Sequence, residues 1–142
     1  VAILEAEHRR GHVQHAFFKD AMLGRFYAIC NCCSCCCGAI HSTRSGTPML
    51  ASSGFVARVD DRLCTVCEAC VGACAFGALR VSGTGIEVDS ADCMGCGVCV
   101  SQCEQGALAL VLAPERGVPL DLEALQAQGA GAPQGQRRRA VT

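Results

Sequence analysis

Cys64-Thr-Val-Cys67-Glu-Ala-Cys70-Val-Gly-Ala-Cys74 recurs 29 residues later as Cys93-Met-Gly-Cys96-Gly-Val-Cys99-Val-Ser-Gln-Cys103. Three thiolates spaced by two residues wrap one corner of a cubic four-iron, four-sulfur cluster, and a fourth spaced by three points away and ligates the other cluster. That rule assigns Cys64, Cys67, Cys70 and Cys103 to one cluster and Cys93, Cys96, Cys99 and Cys74 to the second, so neither run is self-sufficient. The rival meanings of a Cys-x-x-Cys pair are a zinc knuckle, which wants two pairs, and a thioredoxin-like dithiol, which wants one. Eight cysteines in this phase fit neither.

The repeat reaches past the cysteines, because Val59, Asp60, Gly77, Ala78 and Leu79 return as Val88, Asp89, Gly106, Ala107 and Leu108. Each unit reads as a short strand entering the cysteine loop, a helical turn carrying the fourth cysteine, and a second strand, 78–81 or 107–110. Gly83-Thr-Gly85 reads as the hairpin turn between the units.

This pattern resembles the bacterial dicluster ferredoxins over residues 59–110. The resemblance implies an α+β fold of two halves related by a pseudo-twofold axis, with a small Cys-rich segment in front of it. The proline that follows the fourth cysteine in that family is replaced by Ala75 and Glu104, which removes a fixed backbone angle and leaves an amide in place.

With 14 Cys, 16 Gly and no Trp in 142 residues, the composition suits a chain folded around inorganic centres. Cluster assembly needs reduced thiolates, so a cytoplasmic location is expected. The sequence shows neither a signal peptide nor an apolar run of membrane-spanning length. Charge is unevenly divided: residues 59–110 hold seven acidic against two basic side chains, whereas 1–58 hold six basic against three acidic. An acidic cluster domain can steer a basic redox partner.

A second cysteine-dense stretch lies outside the repeat, with Cys30, Cys32, Cys33, Cys35, Cys36 and Cys37 filling six of eight positions. Strict disulfide geometry disfavours pairing among such close neighbours. Thiolates select soft metals, so these six residues are expected to ligate a third iron–sulfur cluster or zinc, with thiol chemistry or packing as the alternative. A continuous helix would stack Cys32, Cys33, Cys36 and Cys37 on overlapping faces, whereas a loop could present any four. His41 is near enough to add a nitrogen ligand, and His8, His12 and His15 read as structural.

Leu4 to Arg10 before Gly11 reads as the end of an amphipathic helix, and His12 to Phe18 alternates like a strand. Residues 42–53 read as a Gly/Ser/Thr-rich linker and 55–59 as the strand entering the first loop. The expected domains are residues 1–53, 54–112 and 113–142, the last being a short helix at 120–128 and a disordered tail.

The succession of Ile29-Cys-Asn-Cys-Cys-Ser-Cys-Cys-Cys-Gly38, Ser52-Ser-Gly-Phe-Val-Ala-Arg-Val-Asp60 and the two cluster motifs resembles the C-terminal part of long bacterial and archaeal ferredoxin-type proteins. That resemblance covers about residues 4–125 and implies that the chain is a fragment, as does a start at Val1 within a helix. No Ser/His/Asp arrangement or Walker-type glycine loop is present in the sequence, and no nucleic-acid role is carried over. The expected function is electron transfer through two clusters to a partner oxidoreductase or to the rest of a larger protein. The alternative is a redox or metal sensor built on residues 30–37.

Overall fold

A computed structural model describes residues 1–18, 26–121 and 123–124. Helix α1 (Ala2–Arg9) ends in a glycine stop: Gly11 takes a positive φ of 86°, and the amides of Gly11 and His12 bond back to the carbonyls of His8 and Glu7. Only a residue without a Cβ adopts that turn at low cost. The chain then pairs β1 (Val13–Phe18) antiparallel to β2 (Phe26–Cys32), with Val13 opposite Cys32 and His15 opposite Cys30. A turn leads into α2 (Gly38–Arg44), which begins at Cys37 and closes with the same glycine device at Gly46.

The repeat region follows as β3 (Phe55–Val59), α3 (Ala69–Ala73), β4 (Leu79–Ser82), β5 (Gly85–Val88), α4 (Val98–Ser101) and β6 (Leu108–Leu112). Strand β3 pairs antiparallel with β6, the last strand of the second unit, while β4 pairs with β5 across the 83–84 turn. The pairings are equivalent under the 29-residue shift, since Val59 faces Leu108 and Val88 faces Leu79. Likewise the Asp60 amide bonds to the Ala107 carbonyl at 2.8 Å, and Asp89 to Ala78 at 2.7 Å.

Two apolar clusters hold the elements together. One joins Ala57, Ala78, Leu79, Ile86 and Leu108 with Cys70, Cys93 and Cys99. The other joins Val13 and Ile40 to Ala75, Phe76 and Val98, so the N-terminal hairpin and α2 share a core with the second half of the repeat region. Helix α1 docks on α4, where the Gln102 side-chain amide donates to the Arg9 carbonyl.

The structure departs from the sequence reading at four points. Residues 42–44 are helical, because α2 runs through Arg44 before its glycine stop. In the cysteine stretch, which runs as strand, turn and helix start, Cys33 and Cys35 are in disulfide contact although such close neighbours are expected not to pair, because the turn brings their sulfurs together. The helical turns carry the third cysteine of each run and deliver the fourth just past their ends, at Cys74 and Cys103. His12 precedes β1 and bonds to Glu7 in α1, so it shares no strand with His15. The expected helix at 120–128 and the tail with Arg137, Arg138 and Arg139 lie almost wholly outside the described residues.

Candidate metal centres

The eight repeat cysteines sort into two hollows. Cys64, Cys67, Cys70 and Cys103 line one, together with Val59, Ile86 and Leu108. Cys74, Cys93, Cys96 and Cys99 line the other, with Ala57, Phe76 and Leu79. The fourth cysteine of each run thus sits with the three of the opposite run.

Local backbone geometry explains how a short loop aims three sulfurs inward. Asp60 and Asp89 open the loops identically: each carbonyl accepts the amide of the first cysteine, at 3.0 Å for Cys64 and 2.9 Å for Cys93. Their carboxylates also accept the amides of Arg62 and Ala91, two residues on. Such Asx turns satisfy amides that no strand or helix reaches. Within the loops the chain turns left-handed at Val66 (φ 53°) and Glu68 (φ 64°), and at the matching Gly95 (64°) and Gly97 (78°). That handedness is ordinary for glycine and strained for a β-branched residue.

The sulfurs receive backbone donors as well. Ala78 N–H points to Cys74 Sγ and Ala107 N–H to Cys103 Sγ, both at 3.3 Å, and Ala57 N–H to Cys93 Sγ at 3.4 Å. Amides aimed at a ligand sulfur lower its charge density and tune a bound cluster. Without proline the turn after each fourth cysteine still closes, through Gly77 N–H to the Cys74 carbonyl and Gly106 N–H to that of Cys103. Ala75 is buried against the N-terminal segment, whereas Glu104 is exposed.

Burial pushes the Cys99 thiol up to about 12 and raises those of Cys70 and Cys96. A cation must therefore displace protons from these sulfurs on binding. The donor set fits an iron–sulfur cluster: four thiolates per hollow, apolar walls and amides directed at sulfur. It does not fit a single ion, because no three of these eight sulfurs lie within 4.8 Å of one another, whereas tetrahedral zinc with Zn–S near ~2.3 Å draws its sulfurs to within about 4 Å.

The hollows differ in exposure. Cys67 is exposed at the first, as is Glu68 of the same lining. At the second, Cys93 and Cys99 are buried, and Cys74 and Cys96 pack against the core shared with Val13 and Ile40.

In the N-terminal stretch, Cys33, Cys35 and Cys36 converge at the turn, with Cys33 Sγ 3.3 Å from Cys36 Sγ and in disulfide contact with Cys35. Cys32 and Cys37 pack against the cluster of Val13 and Ile40, and burial pushes the Cys32 thiol up to about 12. His41 belongs to no group of converging ligand atoms among the described residues. Sequence reading missed Asp60, Asp89 and the amides of Ala57, Ala78 and Ala107 as supports for the sulfurs. The shared 29-residue offset of the aspartates and alanines was the available signal.

The donor set of the repeat region is that of an iron–sulfur electron-transfer domain. Residues 57–104 match the family model described as a 4Fe-4S dicluster domain, which spans about a third of the chain and contains all eight repeat cysteines. No curated protein matches the chain. Among the described residues, no helix is long and apolar enough to cross a membrane.

Proposed function

We propose that the chain carries electrons through two four-iron, four-sulfur clusters, crosswise ligated by Cys64, Cys67, Cys70 and Cys103 and by Cys93, Cys96, Cys99 and Cys74, in two halves related by a pseudo-twofold axis. The single observation that carries this reading is the lining of the hollows, each with three cysteines of one run and the fourth of the other. Each bound cluster supplies a one-electron carrier. The protein keeps the sulfurs dry, donates amides to them, and leaves one hollow near the surface.

That asymmetry gives the path a direction. A redox partner docks over the first hollow, where Cys67 and Glu68 are exposed, and the second hollow communicates with the segment packed on it. The partner is an oxidoreductase or another part of a larger protein, in a reducing compartment such as the cytoplasm. A sensor role for residues 30–37 draws on the exposure of Cys35 and Cys36. It predicts that replacing them alters partner affinity without altering reduction of the repeat region.

The crossed ligation is tested by comparing Cys103→Ser with Cys64→Ser and Cys96→Ser after anaerobic isolation. Iron should fall from about eight to about four per chain. The paramagnetic resonance spectrum of reduced Cys103→Ser should match that of Cys64→Ser. A spectrum matching Cys96→Ser would sink the crossed assignment.

A further inference from the structure

The six cysteines of residues 30–37 do not form one equivalent set. The Sγ atoms of Cys33, Cys35 and Cys36 all lie within 4.8 Å of one another, and no other three His, Cys, Asp or Glu side chains among the described residues converge so tightly. The repeat cysteines are the internal comparison. In the same fold, the sulfurs arranged around the two hollows stay apart, whereas these three lie together. A tetrahedral ion with metal–sulfur bonds near ~2.3 Å holds its sulfurs within about 4 Å, a spacing this group reaches with the Cys33–Cys35 contact open, and a cubic cluster forbids it.

A fourth sulfur is at hand. Cys32 is the last residue of β2 and directly precedes Cys33 of the group. Cys37 lies on the other side of the turn, as the residue that begins α2. Cys30 lies further back on β2, opposite His15.

A second observation concerns how little holds this segment. Among the described residues of 1–50, only Val13 and Ile40 are buried apolar side chains, and α1 buries none. Elements with so small a core need a staple, and a bound metal ion supplies one by adding its binding free energy to folding. The corner where β2 meets α2 also has something to hold: Cys32 and Cys37 pack in the same cluster as Phe76, Val98, Cys74 and Cys96, which form the wall of the second hollow.

We propose that Cys32, Cys33, Cys35 and Cys36 bind a single zinc-type ion that pins the β2–α2 corner over the second hollow and shields it from solvent. The ion itself stands independently of the cluster reading, while the shielding rests on it. The Cys33–Cys35 disulfide contact is the oxidised alternative of the same sulfurs, since a ligating cysteine must be a thiolate.

The test uses the full chain, produced with iron and zinc supplied and isolated without oxygen. Wild type should hold one zinc per chain, and its zinc X-ray absorption should show four sulfurs at about 2.3 Å. The Cys33→Ser, Cys36→Ser double variant should lose the zinc and keep about eight iron. In air it should then shed the iron of the second hollow about tenfold faster than wild type, with the first unchanged. Cys30→Ser should keep its zinc.

Twelve iron and no zinc would overturn the proposal in favour of a third cluster. So would an absence of zinc with a Cys33–Cys35 disulfide found by mass spectrometry, or a nitrogen or oxygen ligand at the zinc edge. If the double variant does not fold, the wild-type zinc spectrum decides alone. Iron below eight with zinc in place would count against the two-cluster reading and leave the zinc site standing.

Discussion

The two cluster loops share one backbone path and differ in what they pay for it. Gly95 and Gly97 take left-handed angles freely, whereas Val66 and Glu68 take the same angles with a Cβ present, at about 1–2 kcal/mol each. Val66 packs against the main core, so replacing it by glycine forfeits burial and gains nothing net. Glu68 is exposed and caps α3 without a side-chain hydrogen bond. Glu68→Gly therefore relieves strain against only about 0.5–1 kcal/mol of chain entropy. It should raise stability by roughly 0.5–1 kcal/mol, read as a later loss of visible cluster absorption on anaerobic heating. The opposite outcome is expected at Gly95, where an added Cβ would collide with the Phe55 carbonyl oxygen and Ser53 Oγ. Gly95→Ala should cost at least about 3 kcal/mol, because backbone on one side and a hydrogen-bonded serine on the other leave no room to yield. A Gly95→Ala protein melting with wild type would refute the close approach.

Among the elements, the β1–β2 hairpin carries a pH dependence. His15 Nδ1 is enclosed without a hydrogen-bond partner, and burial lowers its pKa from the ordinary 6.5. The folded hairpin thus holds a neutral imidazole, and the unfolded segment binds the proton more readily. Stability is fully present above pH 6.5 and is lost as pH falls below that value towards the folded pKa. Protection factors of the β1 amides, taken against the intrinsic exchange rate at each pH, should fall over that range, and His15→Leu should remove the change. Protection that is flat between pH 7 and 5.5, an interval chosen to bracket the ordinary histidine value, would show that protonation does not load the hairpin. This element also marks how far the sequence could be read. The glycine stop at Gly11, the alternation of β1, the strand at 55–59 and the 83–84 turn were legible because each is a local rule. The docking of Val13 and Ile40 on Phe76 and Val98 was not, because it joins lone apolar residues far apart in the chain. The cysteine sets were proposed from spacing alone. The left-handed angles at Val66 and Glu68 could be read only by aligning them with Gly95 and Gly97.

At the scale of the molecule, charge and exposure favour the same end. Residues 59–110 carry a net charge of −5 before any cluster is counted. Exposed Glu68 lines the first hollow, and exposed Glu104 directly follows Cys103 of the same lining. An anionic rim around the thinnest cover over a redox centre raises the encounter rate with a cationic partner by about 10- to 1,000-fold at low ionic strength, and the gain is screened once the Debye length shrinks to ~8 Å at ~0.15 M salt. Electron transfer to a basic acceptor protein should accordingly slow at least about tenfold as salt rises from ~0.01 to ~0.15 M. An uncharged acceptor should show little change. The Glu68→Gln, Glu104→Gln double variant should lose several-fold of the low-salt rate and converge on wild type at high salt, because it removes steering without touching a ligand. The Arg80–Glu87 and Arg80–Asp89 pairs on β4 and β5 supply the contrast, since there the acids are already matched by a cation. Glu87→Gln should leave the rate within about twofold of wild type at either salt concentration. Equal losses from the two sets would place the docking surface away from the first hollow, and stopped-flow oxidation of the reduced protein distinguishes these outcomes directly.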